Sequence, residues 1–373
     1  MNTEKTQIAT NNRIEELDGL RGIAILLVLI WHYITCQYRP GTESNIVVSL
    51  IYKPTSVFWS GVDLFFVLSG FLIGGIILSY QKKSNFLKVF WIRRACRIIP
   101  PFLLLLLSYI ILKQTELANS IPWLFDRAMP TWSYATFTQN VYMGLTGTFG
   151  ANYMGVTWSL AIEEQFYLFA PLLAMLFGPK HWTRLLLPLA LTAVILRILI
   201  PGFHTYVNTI FRMDALLMGF FIASVYTNKE QWKFVLAHKT SCLLGLSIIL
   251  ALLAFIAGKF GYYHELKFFW FALLYSSILL CVLMFSGKPV LMPLRSKYLT
   301  FWGTIAYGLY LYHQAISGLI HGFVRDGAQP AIDTIVGILC TLAALLFSTT
   351  LALYSYKYFE QRFINFGKSV KYK

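Results

Sequence analysis

Charge is scarce in this sequence. Only 13% of its 373 residues are Asp, Glu, Lys or Arg, and only 16 of them are acidic. An ordinary soluble domain carries about 25% charged residues, so a chain of this length could not solvate its surface as a soluble enzyme or a disordered protein. Cysteine is sparse too. There are five, an odd count with no C-x-x-C. Cys36, Cys242, Cys281 and Cys340 lie in apolar stretches and Cys96 in a basic one, which gives neither a disulfide framework nor a zinc site. A cleavable leader is not expected either. The first apolar run follows Glu15, Glu16, Asp18 and Arg21 with no small-residue cleavage site after it, so the first helix is expected to be retained. No internal repeat or low-complexity tract appears.

What is present is hydrophobicity: 57% of residues are apolar and the mean hydropathy is +0.61. A bilayer core of about 30 Å is crossed by about 20 apolar helical residues. Ten runs fit: 22–38, 58–80, 98–113, 158–178, 185–201, 209–226, 240–258, 266–286, 299–320 and 332–356. A further stretch, 132–147, holds Gln139, Asn140 and two glycines and reads as a re-entrant or interfacial segment. The net charge of +15 tests the count. With ten alternating spans and the N-terminus inside, 22 of the 31 basic residues fall on the cytoplasmic side, among them Lys5, Arg13, Lys180 and Lys239. Only seven, including Arg39, Lys53 and Lys259, fall outside. An eleventh span would invert every later loop. Basic residues enrich cytoplasmic loops, so the charge records topology and not nucleic-acid binding. The expectation is an all-α, polytopic integral membrane helix bundle of about ten transmembrane helices with both termini cytoplasmic. It forms a single domain over 1–373: a cytoplasmic segment 1–20, a core 21–356 and a basic tail 357–373.

Charged groups inside spans are costly, by about 2.5–3.5 kcal/mol on insertion scales, and so mark candidate function. Arg21 and His32 are eleven positions apart, a spacing that returns a helix to nearly the same face about 16 Å further on. Asp63 and Ser69 lie in Trp59–Ile73, whose glycines and serines permit close helix approach or leave room for a ligand; Asp63 either acts in chemistry or pairs with a base such as Arg212. Arg93, Arg94 and Arg97 form a basic cluster, suited either to phosphate recognition or to topology. Glu163 and Glu164 open the fourth span, one to assist a base and the other to pair with Arg197 or Arg212. Arg212 and Asp214 open the sixth. Tyr307, Tyr310, Tyr312, His313 and Gln314 give the ninth a polar stripe, with His313 the rival to His32. His264 and His321 fall in outer loops and are expected to be solvated. Trp123, Trp132, Tyr134, Tyr142, Tyr153 and Trp158 suit either an interfacial belt or sugar stacking. No nucleophile or metal-ligand motif is evident.

Together these residues resemble the acyltransferase family 3 of integral membrane proteins. The resemblance covers about 14–366. It rests on Arg21 and His32, on G-V-D-L-F-F-V-L-S-G-F-L-I at 61–73, on R-x-x-R at Arg94 and Arg97, and on W-S-L-A-I-E-E-Q-F-Y at 158–167. It also rests on F-R-M-D-A-L-L-M-G at 211–219 and Y-G-L-Y-L-Y-H-Q at 307–314. The resemblance implies transfer of an acyl group, most often acetyl, from cytoplasmic acyl-CoA to a hydroxyl of a cell-envelope carbohydrate or lipid-linked sugar. The implied location is a bacterial-type inner membrane. Acyl-CoA, acetyl-CoA in the first instance, would be a co-substrate, with no metal and no nucleic-acid partner. Arg21, Arg93, Arg94 and Arg97 would bind the donor; His32, Glu163, Glu164 and Asp63 would be catalytic; Arg212, Asp214, His313 and Ser69 would hold the acceptor or the structure. On residues alone, a transporter or flippase using buried Arg, His, Asp and Glu, or a membrane scaffold without chemistry, remains open.

Overall fold

The computed structural model describes residues 14–38, 54–176, 182–257 and 265–373. Lys5, Arg13, Arg39, Lys53, Lys180, Lys259 and His264 lie outside the described residues. Every regular element among the described residues is helical. The principal helices are α1 Glu15–Ile30, α2 Gly61–Tyr80, α3 Phe86–Leu112, α4 Thr157–Leu176, α5 Trp182–Leu199 and α6 Thr209–Thr227. They continue with α7 Lys239–Ala257, α8 Lys267–Met284, α9 Lys297–Val324, α10 Ile335–Tyr354 and α11 Gln361–Ser369.

Seven helical stretches among the described residues are long and apolar enough to cross a membrane, and an eighth arises if Lys229–Ala237 and α7, bent by 71°, count as one. The chain is an integral membrane protein. All ten expected runs overlap a helix. The helix α9, 28 residues long, is diluted by its tyrosines, histidines and glycines and does not pass on apolarity. The stretch 132–147 forms two short helices, Thr131–Ala135 and Gln139–Thr146. At 1.5 Å per residue the longer spans only about 12 Å. Gln139 and Asn140 are fully buried. The Gln139 amide donates to the Thr157 carbonyl at 2.9 Å and the Asn140 amide to the Val207 carbonyl at 3.2 Å. Their polarity ties the segment into the bundle.

Two seams of glycine organise the bundle. A Cβ on Gly70 would stand 1.9 Å from the Leu216 carbonyl oxygen, and one on Gly219 would stand 2.0 Å from that of Val67. So α2 and α6 touch backbone to backbone. Across α1 and α9, a Cβ on Gly22 would meet the Leu299 oxygen at 2.1 Å and one on Gly303 the Asp18 oxygen at 2.0 Å. Small residues are how helices approach closely in lipid, where no hydrophobic force separates protein from solvent.

Buried ion pairs lock the α2–α6 side. Arg212 Nη2 donates to Asp63 Oδ1 at 2.7 Å, with both side chains 1% exposed. Arg197 Nη2 donates to Asp214 Oδ2 at 2.5 Å. Arg197 and Arg212 therefore serve the aspartates, and neither pairs with Glu163 or Glu164 as anticipated. His321, expected in a solvated loop, is fully buried, because α9 runs past residue 320 to Val324. Its Nε2 lies 3.1 Å from the Thr341 hydroxyl.

Candidate active site

Two cavities occupy the space between these helix pairs. The first, about 110 Å³, is lined by Arg21, Arg94, Arg97, Ser69, Glu163 and Tyr307 among others. Each comes from a different local cause. Arg94 and Arg97 are one turn apart on α3, just before the Pro100–Pro101 step. Those prolines carry no N–H and so release the carbonyls of Cys96 and Arg97 from the helix. Arg21 enters from α1 and is paired with Asp18 one turn earlier at 3.2 Å. Glu163 enters from α4. Its Oε1 accepts from the Ser69 hydroxyl at 2.7 Å and its Oε2 from the Tyr167 hydroxyl at 3.0 Å. The described lining thus carries three arginines and one carboxylate.

The second cavity is larger, about 870 Å³, and carries Trp31, Trp59, Trp123, Trp158, Phe149 and Tyr206 on its walls. His32, Gln37, Gln314 and Ser317 also face it. Val62 and Tyr310 line both cavities. Of the aromatic residues singled out in the sequence, Trp123 and Trp158 face this cavity, and Trp132 is exposed.

Arg21 and His32 do not open into one space, although eleven residues separate them. The helix loosens at Trp31–Thr35 into a π turn, where the Cys36 N–H donates to the Trp31 carbonyl at 2.8 Å. Eleven residues along a helix put the two side chains about 16 Å apart on the axis, far enough to line separate cavities. Arg21 faces the arginine cavity and His32 the aromatic one.

The partner of His32 is not a carboxylate. His32 Nδ1 lies 3.0 Å from the Val28 carbonyl and 3.2 Å from His313 Nε2. His313 is fully buried, and its own Nδ1 lies 2.7 Å from the Tyr310 carbonyl and 3.2 Å from that of Leu309. A carbonyl only accepts, so His313 Nδ1 carries a proton. In a neutral ring its Nε2 is then the bare acceptor, so His32 Nδ1 must donate. That leaves His32 Nε2 with a free lone pair and, among the described residues, no hydrogen-bond partner. The tautomer is fixed from the second ring outward, as an orienting group fixes a base. Asp63 is held by Arg212 and both glutamates lie elsewhere, Glu163 on Ser69 and Tyr167 and Glu164 with a buried Oε1 lacking a partner.

Arg93 leaves the cluster altogether. It points away from both cavities, and its Nε and Nη2 donate to the Val370 carbonyl at 3.1 and 2.8 Å. Its guanidinium covers the Tyr372 ring at 4.8 Å, and Tyr372 stacks on Tyr80 at 4.0 Å. Asn85 completes the clasp, donating to the Lys371 carbonyl at 3.0 Å and accepting from the Lys373 N–H at 2.8 Å. Sequence reasoning did not identify Tyr310 as a shared wall or Ser159 as its partner. The aromatic stripe of α9 was visible, but only packing shows which ring separates the cavities. Among the described residues no cluster of His, Cys, Asp and Glu could hold a metal ion.

No solved structure matches the chain. It is 27% identical over 349 residues to the O-acetyltransferase OatA of Staphylococcus aureus strain NCTC 8325 / PS 47, covering 87% of this chain and 54% of that protein. The OatA of strain COL matches to the same extent. The chain spans about half the length of the curated relatives it matches. The family model described as an acyltransferase domain matches residues 14–356, and over that whole span, which carries both cavities, the chain belongs to acyltransferase family 3.

Proposed function

We propose that this chain is a membrane O-acyltransferase that takes an acyl group, in the first instance acetyl, from cytoplasmic acyl-CoA. The acceptor is a hydroxyl of a cell-envelope carbohydrate or lipid-linked sugar. The observation that carries this reading is the pair of cavities, arginine-lined on one side and aromatic on the other, with Val62 and Tyr310 common to both. The reading places the protein in a bacterial-type inner membrane with ten spans and both termini cytoplasmic, so that the arginine cavity opens to the cytoplasm.

Acyl-CoA carries several phosphates on a long thin arm. Arg21, Arg94 and Arg97 hold the phosphates, and Arg93 serves the tail instead. Glu163, fixed by Ser69 and Tyr167, offers acceptor oxygens to the arm. A sugar stacks on the tryptophans of the aromatic cavity. His32 Nε2 takes the proton from the acceptor hydroxyl as that oxygen attacks the thioester carbonyl. The carbon–sulfur bond then breaks, and His32 returns the proton to the departing thiolate. His313 keeps His32 in the tautomer this requires. Asp63, Asp214 and Arg212 hold the frame.

The test uses cells that produce the protein and its His32→Ala, His313→Ala and Arg94→Ala variants at equal level. Acetylated glycans and lipids are quantified by mass spectrometry, and acetyl-CoA consumption is measured with the purified proteins. The expected result is loss of acyl transfer in His32→Ala and weakened donor binding in Arg94→Ala. Undiminished acetylation in His32→Ala would remove its role. Solute flux by the purified protein without release of CoA would replace this reading with a transporter.

A further inference from the structure

Two side chains stand where the cavities meet, and one of them is hydrogen-bonded in place. Tyr310 lines both spaces, and so does Val62. The Tyr310 hydroxyl lies 2.6 Å from Ser159 Oγ and donates to the Val156 carbonyl at 3.1 Å. Ser159 also donates to Val156, at 3.2 Å. Ser159 faces the arginine cavity and Val156 the aromatic one. The phenol therefore latches α9 to the start of α4 along the line where the two spaces meet. Phe65 supports the ring edge-on at 6.3 Å. The other end of the same residue matters as well, since the Tyr310 carbonyl accepts from His313 Nδ1 at 2.7 Å.

We infer that Tyr310 is the gate between the donor and acceptor cavities, a positioning residue that keeps water in the aromatic cavity away from an acyl group in the arginine cavity. This rests on the acyl-transfer reading for its purpose, though not for its geometry. With the ring latched, the arginine cavity ends against the wall of Val62 and Tyr310. Turning the ring about its side-chain torsions breaks the bonds to Ser159 and Val156 and joins the two spaces. The thioester carbonyl then comes within reach of the face where His32 stands. A gate at this point has a chemical purpose. If water reached the thioester carbonyl before the acceptor, it would add there and the carbon–sulfur bond would break. The products would be the free acid and the CoA thiol, and the donor would be wasted. The backbone carbonyls of Leu309 and Tyr310 both accept from His313 Nδ1, so the gate and the ring that orients His32 are neighbours on α9.

Two measurements test this separately from the function. The first needs no activity. The five cysteines are replaced by serine, Leu72→Cys is introduced on the arginine-cavity wall, and a charged, membrane-impermeant thiosulfonate is applied from the side of the aromatic cavity. Labelling is expected to be slow with Tyr310, at least tenfold faster with Tyr310→Ala, and intermediate with Tyr310→Phe, which keeps the ring and loses the latch. Ser159→Ala, which leaves the phenol its bond to Val156, should fall between the native protein and Tyr310→Phe, and it keeps the test open if Tyr310→Ala fails to fold. Equal labelling in all of them overturns the gate. The second measurement follows free CoA thiol from acetyl-CoA with water as the only acceptor. Tyr310→Ala is expected to raise this hydrolysis several-fold over the native protein, and His32→Ala in the same background to abolish the rise. Faster labelling without any thiol release keeps the gate and overturns the acyl-transfer reading. Thiol release that is unchanged while native transfer is intact overturns the seal.

Discussion

The pair formed by Arg212 and Asp63 offers a perturbation whose size follows from its surroundings. Both side chains are 1% exposed and meet at 2.7 Å. Arg212 has two further nitrogens, Nε and Nη1, without hydrogen-bond partners, and Asp63 Oδ2 has none. Its remaining support is aromatic, with the guanidinium 3.8 Å from the centre of the Phe268 ring. Asp63→Leu leaves a buried cation balanced by that ring and by those of Phe66, Trp158 and Tyr206 at 5.4–5.8 Å, and Arg212→Met leaves a buried carboxylate. Removing one partner of a buried pair costs about 3–5 kcal/mol, whereas replacing both by apolar groups of similar volume is often neutral. The double variant Asp63→Leu, Arg212→Met is therefore expected within about 1 kcal/mol of the native protein. At 3 kcal/mol each single variant loses about 150-fold in its folding constant. Unfolding by sodium dodecyl sulfate in mixed micelles, followed by tryptophan fluorescence, measures all four corners of the cycle. The sequence read Asp63 either as a chemical group or as a partner of Arg212, and the same proteins decide. If Asp63 only holds the frame, acetyl-CoA turnover returns in the double variant to within about tenfold of native. A double variant as unstable as the sum of the singles would refute the pairing argument, and a stable but inactive one would make Asp63 a chemical group.

Gly219→Ala should destabilise by about 1–3 kcal/mol as an overpacked seam, because its Cβ would lie 2.0 Å from a carbonyl oxygen. Gly245→Ala on α7, where a Cβ meets nothing within 4 Å, should instead stabilise by about 0.5–1 kcal/mol; melting temperatures in one detergent compare them. Arg93→Lys should free residues 370–373 to a protease while Arg94→Lys does not, because only a planar fork makes both bonds to Val370 and covers Tyr372. Outside the spans, burial works against the charge of Asp333, but the Arg325 guanidinium, 2.8 and 3.1 Å away, holds its carboxyl below the ordinary 3.8. The folded pKa is the lower one, so the contribution of this clasp is complete above the ordinary value and is lost as pH falls through the folded one. Hydrogen exchange over 325–334, corrected for intrinsic rates, should be flat at neutral pH and quicken only in acid. Asp333→Asn should remove that step.

How much of this was legible in the sequence depended on whether a feature is local. The apolar runs marked where helices form because a helix in lipid satisfies its own backbone. Arg94 and Arg97 share a cavity because one turn separates them, and one turn is a local property. The link from His32 to His313 spans 281 positions and has no periodicity to announce it. Helical spacing relates the faces of Arg21 and His32, but it does not show that the space beside them is divided into two cavities. Arg93 sits beside Arg94 in sequence yet faces the C-terminal tail and not the cavity. That is what about 100° per residue imposes, and only packing shows which of the two enters the cavity. The pairing of Arg197 with Asp214 was hidden for the same reason, since nearby glutamates offered equally plausible partners.

The glycine seams also bear on time. Each is an encounter of backbone with backbone, with no rotamer to relax, so α2 with α6 and α1 with α9 behave as two stiff leaves. A substrate longer than the cavities must then enter by turning the rings between those leaves, Phe65, Tyr307 and Tyr310. Sliding of packed helices takes microseconds to milliseconds, whereas turning these rings leaves the helix packing in place. Admission of the acyl group is thus expected to be quick beside the chemical step, and turnover should be governed by bond making rather than by opening of the protein.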